Sequence, residues 1–217
     1  MKAVVILSGG QDSTTCLFWA IQKYGENNVC ALGFDYNQRH KIELKYAAQI
    51  CTIYGVPFTV LQLPIISEIT NNSLTNHNMD VDINKPQNTP PNSLVEGRNI
   101  LFLTYAAIFA KEHGINNLII GISEADSSGY PDCRDNFVKA CNLSLNLGMD
   151  FPFAVEAPLM WLTKAQIWQL ANDLDVLEVI KTKTVTCYNG IAGEGCKTCP
   201  ACHLRNQGYV KYLELRG

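Results

Sequence analysis

Short apolar runs alternate with stretches of helical spacing from residue 3 to residue 157, and this alternation restricts the chain to few folds. The apolar runs predict strands at residues 3–8, 29–34, 57–63, 117–123 and 151–157. Apolar residues at helical spacing predict helices at residues 13–24, 41–54, 99–113, 132–147 and 163–175. Strands that alternate with helices pair in parallel through right-handed crossovers. The sequence therefore predicts an α/β fold with a doubly wound, mainly parallel sheet.

Glycine follows four of these predicted helices, at Gly25, Gly55, Gly114 and Gly148. The residue just past a helix often adopts left-handed backbone angles, which glycine accepts at the least cost. We therefore expect each of the four helices to end at its glycine.

The length, charge and cysteine content limit the class of protein. With 217 residues the chain can bury one full core, so we expect one domain over residues 1–217. A net charge of −3 without a basic stripe argues against a nucleic-acid partner. The apolar runs are too short to cross a bilayer, so we expect no membrane partner. Nine cysteines without a secretion signal indicate a cytoplasmic protein rather than a disulfide framework.

Two segments interrupt the alternation. Residues 64–98 contain seven Asn and four Pro and show no periodicity. A loop of this length is either a lid over a binding site or a surface insertion, and the sequence leaves both open. Residues 182–204 are rich in Gly, Cys and Thr and precede a short predicted C-terminal helix.

A glycine loop at residues 7–13, with the sequence LSGGQDS, lies between the first predicted strand and the first predicted helix. Paired glycines and a helix N-terminus favour the binding of a phosphate. The candidate nucleotide-binding residues are Leu7, Ser8, Gly9, Gly10, Gln11, Asp12, Ser13, Thr14, Thr15, Cys16 and Leu17. A carboxylate would repel a phosphate unless a cation lay between them, so Asp12 is the candidate Mg²⁺ ligand. The alternative is a tight turn in which Ser13 is the helix N-cap.

The string S-G-G-x-D-S at residues 8–13 resembles the loop of the N-type ATP pyrophosphatases. That superfamily includes GMP synthetase, argininosuccinate synthetase and tRNA-thiolating enzymes. The resemblance implies an adenine nucleotide alpha hydrolase-like fold, ATP bound at this loop, and transfer of the adenylyl group.

A cluster of cysteines lies near the C-terminus. Cys196, Cys199 and Cys202 are separated by two residues each, and Cys187 precedes them. Four thiolates suit a closed tetrahedral zinc site, so we expect a zinc-binding segment at residues 187–204. An iron–sulfur cluster and free thiols are the alternatives, and the adjacent His203 is a possible replacement ligand.

Five further strings point to one family within this superfamily. They are FDYNQRH at residues 34–40, GRNILF at 97–102, SGYPDCR at 128–134, EAPL at 156–159 and TCYNG at 186–190. Together with the glycine loop and the cysteines, they resemble the QueC family of queuosine precursor biosynthesis. The resemblance extends from residue 3 to about residue 213. The family has Gly where this chain has Asn37.

The resemblance implies an ATP-dependent C–N ligase. Its substrates would be 7-carboxy-7-deazaguanine, ammonia and ATP, and its product would be the nitrile 7-cyano-7-deazaguanine, formed through an amide. The resemblance also implies a Mg²⁺ requirement, one zinc ion per chain and a homodimer.

Three arginines, Arg39, Arg98 and Arg134, suit this chemistry, since a guanidinium can hold a carboxylate or a phosphate at two points. Asp12, Arg98 and Arg134 are the candidate catalytic residues, and Arg39, Tyr130 and Asp132 the candidate substrate-binding residues. A surface ion pair is the alternative for each arginine.

Two acidic and two aromatic residues are candidates for contact with the heterocycle. Asp132 or Asp126 could accept from the N–H edge of a guanine-like ring, and Asp132 could equally be a helix N-cap. Tyr130 and Phe102 could stack on the ring, although Phe102 also suits the core.

Two other functions compete with this one. Another adenylating enzyme, such as a tRNA-thiolating one, would need catalytic thiols and a basic face. A non-catalytic nucleotide-binding module stabilised by zinc would not need Asp12 in its anion-binding loop. Turnover of ATP that depends on a 7-deazaguanine acid would separate the three.

Overall fold

One five-stranded parallel sheet runs through the centre of the protein. A computed structural model describes residues 1–76, 78–82, 91–125 and 130–217. The strands are β1 (Ala3–Ile6), β2 (Val29–Asp35), β3 (Phe58–Gln62), β4 (Asn117–Ile120) and β5 (Ala154–Glu156). They lie in the order β3-β2-β1-β4-β5, and each neighbouring pair is parallel. In this register Val4 of β1 lies opposite Cys30 of β2 and Leu118 of β4.

Helices cover both faces of the sheet. They are α1 (Gln11–Tyr24), α2 (Ile42–Ile53), α3 (Ile65–Ile69), α4 (Arg98–Glu112), α5 (Asp135–Met149), α6 (Lys164–Asp173), α7 (Leu177–Lys183) and α8 (Pro200–Glu214). Successive strand residues point to opposite faces. Val4 therefore joins a cluster with Ala106 of α4, while Val5 joins a second cluster with Leu17 of α1. This arrangement confirms the predicted doubly wound fold class.

Three of the four glycines that follow predicted helices have the expected backbone. Gly25, Gly55 and Gly114 have φ angles of 89°, 64° and 64°. The prediction for Gly148 is wrong, because α5 continues through it and Asp150 adopts the left-handed conformation instead, at φ 46°. Aspartate tolerates this conformation since its short side chain can hydrogen-bond locally.

The C-terminal part contains more helix than the sequence predicts. α7 is absent from the prediction, and α8 has 15 residues rather than being short. α6 begins where predicted, because Thr163 and Gln166 form a reciprocal capping box. Among the helices of the described residues, none combines the length and the apolar character needed to cross a membrane.

The aperiodic segment 64–98 is more than a surface insertion. Ile66, Leu74 and Val95 are buried and belong to the cluster that contains α4. Asn72 shapes the turn between them, since its side-chain oxygen accepts from the backbone N–H groups of Leu74 and Thr75. The described parts of this segment therefore pack as core, and Leu74 also reaches the cavity described below.

The sheet order places a topological switch point between β1 and β4. β2 and β3 follow β1 in the chain and lie on one side of it, whereas β4 and β5 lie on the other side. Helices diverge at such a point and leave a crevice at the carboxyl ends of the strands, where ligands of open α/β sheets bind. The glycine loop follows β1, so it lies at this crevice.

The contact between α6 and α8 gives a prediction for stability. A Cβ atom on Gly208 would lie 2.4 Å from the Cβ of Lys164, so Gly208→Ala must push the two helices apart. We expect the free energy of unfolding, measured by urea denaturation, to fall by about 1–3 kcal/mol.

The matched control is Gly148→Ala, because Gly148 lies in α5 with open space where its Cβ would be. Alanine should raise the free energy of unfolding there by roughly 0.5–1 kcal/mol through its helix propensity. Equal effects of the two substitutions would contradict the close packing at Gly208.

Candidate active site

The glycine loop is shaped by contact with α2 as well as by its own sequence. Gly9 has a φ of 92°, and a Cβ on it would lie 2.2 Å from the carbonyl oxygen of Glu43. A Cβ on Gly10 would make only ordinary contacts. Gly9 is therefore required for the approach of α2, whereas the sequence suggests only that paired glycines serve a ligand.

The start of α1 presents backbone N–H groups to the crevice. The first helical hydrogen bond runs from Thr14 N–H to Gly10 C=O, so the amides of Asp12 and Ser13 precede it. A Cβ on Gly121, just after β4, would lie 2.8 Å from the Ser13 nitrogen, so glycine at this position lets the end of β4 pack directly against the start of α1. The Gln11 side chain is 1% exposed, and both its polar atoms lack a partner among the described residues. These groups fit an anionic ligand.

The hydroxyl groups of the loop are paired with each other. Ser8 Oγ and Ser13 Oγ lie 3.0 Å apart, and Ser8 N–H also donates to Ser13 Oγ. The N-cap of α1 is Gly10, which makes no side-chain capping bond. The alternative in which Ser13 is the N-cap is therefore wrong.

Asp12 forms an ion pair with Lys164 at the first position of α6. The lysine Nζ lies 2.9 Å from Oδ1 and 2.7 Å from Oδ2. A carboxylate in an anion-binding loop needs a cation beside it, and Lys164 supplies one from a segment 152 residues away. Assignment of Asp12 as a Mg²⁺ ligand remains a prediction.

A second segment, residues 184–188, lies over the glycine loop, and we call it the roof segment. Val185 N–H donates to Gly9 C=O at 2.9 Å, and Gln11 N–H donates to Thr186 Oγ1 at 3.2 Å. The roof segment is held in turn by Arg205 of α8, whose Nη1 donates to Thr184 Oγ1 and Thr186 Oγ1. Arg205 thus connects the C-terminal helix to the glycine loop.

The four predicted cysteine ligands come together at the end of the roof segment. The Sγ atoms of Cys187, Cys196, Cys199 and Cys202 all lie within 4.8 Å of one another. Four thiolates about 2.3 Å from one ion require this kind of spacing. Gly195 permits it, since a Cβ there would lie 2.2 Å from Cys202 Sγ. The cluster is compatible with a metal ion such as zinc.

Hydrogen bonds prepare the thiolate form at Cys196. Burial opposes ionisation, but Thr198 and the N–H of Cys199 donate to its sulfur and lower the pKa of Cys196 to about 5. His203 is exposed and pairs with Gln207 at 2.8 Å, so it lies outside the cluster.

The opposite wall of the crevice combines aromatic and charged side chains. Phe34 and Phe102 stack with ring centres 4.3 Å apart, and Tyr36 packs beside Phe102. Arg98 and Glu43 line the same cavity as the glycine loop. Burial raises the pKa of Glu43 to about 7, although Gln38 and Arg98 act against it.

The candidate residues divide into those that reach this cavity and those that do not. The cavity is lined by Arg98 and, from the glycine loop, by Leu7, Ser8, Gly10, Gln11, Asp12 and Ser13. Thr14, Thr15, Cys16 and Leu17 are buried within α1. Phe102 lines the cavity and also belongs to the core.

Three of the remaining candidates have structural partners instead. Arg39 donates to the carbonyl oxygens of Asn76 and Met79, and so holds the segment after α3. Tyr130 Oη lies 2.8 Å from Ser93 Oγ. Asp132 is not the N-cap of α5; its carboxylate accepts from Asn99 N–H at the start of α4.

The two remaining candidates are Arg134 and Asp126. Arg134 is exposed and is itself the N-cap residue of α5, outside the cavity lining. Asp126 lies outside the described residues. Asn37 has a φ of 63°, a left-handed conformation that asparagine tolerates better than most residues.

Sequence reasoning missed Glu43, Lys164, Thr186 and Arg205. Glu43 and Lys164 lie in the first turns of predicted helices, where charged residues are ordinary. Thr186 directly precedes Cys187, and Arg205 follows Cys202 by three residues. In that segment the spacing of the cysteines is the conspicuous pattern, and it draws attention away from both residues. A helix that includes Cys202 and Arg205 places both on the same side, because they are three residues apart.

Comparison with known proteins identifies the family to which this chain belongs. A family model described as "Queuosine biosynthesis protein QueC" matches residues 2–213. The chain belongs to the QueC family. A 7-cyano-7-deazaguanine synthase of Clostridium acetobutylicum is 55% identical over 99% of this chain and 96% of its own length. The synthase of Clostridium novyi is 52% identical with the same coverage.

Solved structures confirm the fold. The U34-tRNA thiolase NcsA from Methanococcus maripaludis, solved with its 4Fe-4S cluster, has a TM-score of 0.51 at 16% identity, over 99% of this chain and 73% of that one. An NMN synthetase from Francisella tularensis has a TM-score of 0.50 at 15% identity, over 97% and 86%. At these identities the likeness shows the adenine nucleotide alpha hydrolase-like fold and no more.

The buried position of Glu43 gives a prediction for its titration. Because burial raises the pKa to about 7, its carboxyl should be protonated below pH 7 and ionised above it, in the ligand-free protein. Infrared difference spectra across this range should show a carboxylic acid C=O band that disappears as the pH rises. Glu43→Gln should lack that band. A titration near the usual value for glutamate, about 4.3, would contradict the buried environment.

Proposed function

We propose that this protein converts 7-carboxy-7-deazaguanine, ammonia and ATP into 7-cyano-7-deazaguanine, the precursor used in queuosine biosynthesis. The observation that carries the proposal is 55% identity, over 99% of the chain, to a relative named for this synthesis. The glycine loop lies where a nucleotide-binding site of this fold is expected, at the switch point of the sheet. The proposed setting is the cytoplasm.

The glycine loop is the proposed site for the phosphates of ATP. Its supporting features are the amides of Asp12 and Ser13 and the buried side chain of Gln11, whose polar atoms have no hydrogen-bond partner among the described residues. These groups offer hydrogen-bond donors that are already in place, so binding requires little reorganisation. ATP supplies the adenylyl group that turns a carboxylate oxygen into a leaving group.

Magnesium is proposed to enter with ATP, because phosphate oxygens are its usual ligands. Asp12 would reach that ion only by exchanging the ammonium group of Lys164 for it. Lys164 therefore has two compatible roles. It neutralises Asp12 before ATP binds, and it would lie as a cation beside the phosphates once ATP is bound.

Arg98 is the proposed ligand of the substrate carboxylate. Its Nε is buried without a hydrogen-bond partner among the described residues, and its Nη1 lies 3.5 Å from Tyr36 Oη. Such a guanidinium has donors left for an anion. By fixing the carboxylate, Arg98 would hold the reacting carbon near the glycine loop. Arg134, which is exposed, is the weaker catalytic candidate.

One zinc ion per chain is the proposed occupant of the four-cysteine cluster. The geometry of the thiols supports zinc over an iron–sulfur cluster, because four sulfur atoms within 4.8 Å of one another suit a single tetrahedral ion with metal–sulfur distances of about 2.3 Å. A homodimer is also proposed, and exposed apolar residues on α4 and α5 (Ile108, Leu143 and Leu147) supply surface for it.

The pair Asp12 and Lys164 gives a prediction for catalysis. Asp12→Asn should keep the fold and abolish ATP turnover, because an amide is a poor Mg²⁺ ligand and cannot balance Lys164. Lys164→Gln is the matched control, since it keeps the Asp12 carboxylate. We expect Lys164→Gln to retain turnover that rises with Mg²⁺ concentration. If both variants lose activity alike at all Mg²⁺ concentrations, Asp12 acts only as the partner of Lys164.

The stoichiometry of ATP gives a second prediction. Ammonia replaces one oxygen of the activated acid and leaves an amide, whose oxygen again needs activation before a nitrile can form. We find one glycine loop in the described residues, so the same site should perform both activations and consume two ATP per nitrile, with release of AMP and pyrophosphate. The synthetic amide should yield nitrile with one ATP and no ammonia. An inert amide, or one ATP per nitrile from the acid, would contradict this route.

A further inference from the structure

Glu43 is the acidic side chain on the cavity wall that the proposed chemistry leaves unused. It lies in the first turn of α2, and its backbone carbonyl fixes Gly9 of the glycine loop. One carboxylate oxygen accepts a long hydrogen bond of 3.4 Å from Gln38 Nε2. The described residues provide no other hydrogen bond to this carboxylate. Once ionised, above pH 7, Glu43 is a strong acceptor that faces the cavity, and its remaining lone pairs are available to a ligand.

Arg98 lines the same cavity, yet no ion pair joins it to Glu43, and both residues are among those described. Opposite charges in one crevice normally approach each other unless other contacts hold them apart. Here Tyr36 Oη holds Arg98 and Gln38 holds Glu43. The cavity thus presents a cluster of donors and a separate acceptor, with space between them for a ligand.

The walls beside these two groups are flat and apolar. Phe34, Phe102 and Leu74 line the cavity, and the two phenylalanine rings are stacked. Such walls suit a planar heterocycle, whose edge is then read by the polar groups at the rim.

The ring edge of a 7-deazaguanine matches this arrangement. Its N1–H and 2-amino group are adjacent donors, and its C6 carbonyl lies on the same side as the 7-carboxylate. A carboxylate accepts from two adjacent N–H groups, and a guanidinium donates to two adjacent oxygens.

We propose that Glu43 is the residue that selects the guanine-type ring, by accepting from N1–H and the 2-amino group, while Arg98 spans the C6 carbonyl and the 7-carboxylate. This inference rests on the proposed function, because it takes the acid named there as the ligand. It replaces Asp132, whose carboxylate is occupied by Asn99 N–H, as the acceptor of the N–H edge.

The test is calorimetric binding, above pH 7 where Glu43 is ionised, of 7-carboxy-7-deazaguanine and of the same acid without its 2-amino group. The wild-type protein should bind the complete acid more tightly by about tenfold or more, since a hydrogen bond to a charged group is lost in the analogue. Glu43→Gln should weaken binding of the complete acid and reduce the ratio of the two dissociation constants toward one. Glu43→Asp, which keeps a carboxylate, should give an intermediate ratio.

Asp132→Asn is the matched control, and it should leave the ratio at the wild-type value. An unchanged ratio in Glu43→Gln would overturn the proposal, as would a loss of ATP affinity alone, which would place Glu43 against the adenine. Binding does not require turnover, so a protein that binds the acid with this selectivity but makes no nitrile would refute the proposed function and leave the role of Glu43 supported. Absence of binding by the wild-type protein would contradict both.

Discussion

Two hydrogen bonds join segments at opposite ends of the chain, and the candidate active site depends on them. Val185 N–H reaches the carbonyl of Gly9, and Gln11 N–H reaches the hydroxyl of Thr186, 175 residues away in sequence. The first fixes the loop after β1, and the second satisfies an amide that the start of α1 leaves without a helical partner. Without the roof segment the crevice at the switch point would be open on that side.

Arg205 holds the roof segment in place at a cost in solvation. It is 2% exposed, burial lowers its pKa to about 10, and among the described residues no carboxylate pairs with it. Its donors are instead used by two threonine hydroxyls and by the carbonyls of Ile180 and Lys181. Asp12 and Cys202 favour its charge from a distance. Four thiolates around a divalent ion keep a net negative charge, so a filled metal site would stabilise this buried cation further.

The same helix also positions Lys164. Gly208 lets α8 approach the first turn of α6, and Lys164 of that turn balances Asp12 in the glycine loop. The cysteine cluster starts α8, since Cys199 is its N-cap residue. The cysteine cluster, the roof segment and the Asp12–Lys164 ion pair are therefore parts of one assembly around the glycine-loop end of the crevice.

The sequence predicts the scaffold well because strands and helices leave periodic patterns. Every predicted strand is present, and the glycine loop and four cysteines lie where their spacing indicates. The partners that the fold brings from distant segments leave no such pattern. Asp132 illustrates this, since a carboxylate before a helix looks like its N-cap, yet tertiary packing turns it to Asn99 of another helix.

The most direct test of this account is the affinity for a non-hydrolysable ATP analogue, measured by calorimetry in Thr186→Val and Thr184→Val. Both substitutions remove a hydroxyl that Arg205 contacts, but only Thr186 also accepts from the glycine loop. Thr186→Val should weaken nucleotide binding by about tenfold, while Thr184→Val should lower stability and leave the affinity near the wild-type value. Equal affinities in the two variants would contradict the claim that the roof segment organises the nucleotide site.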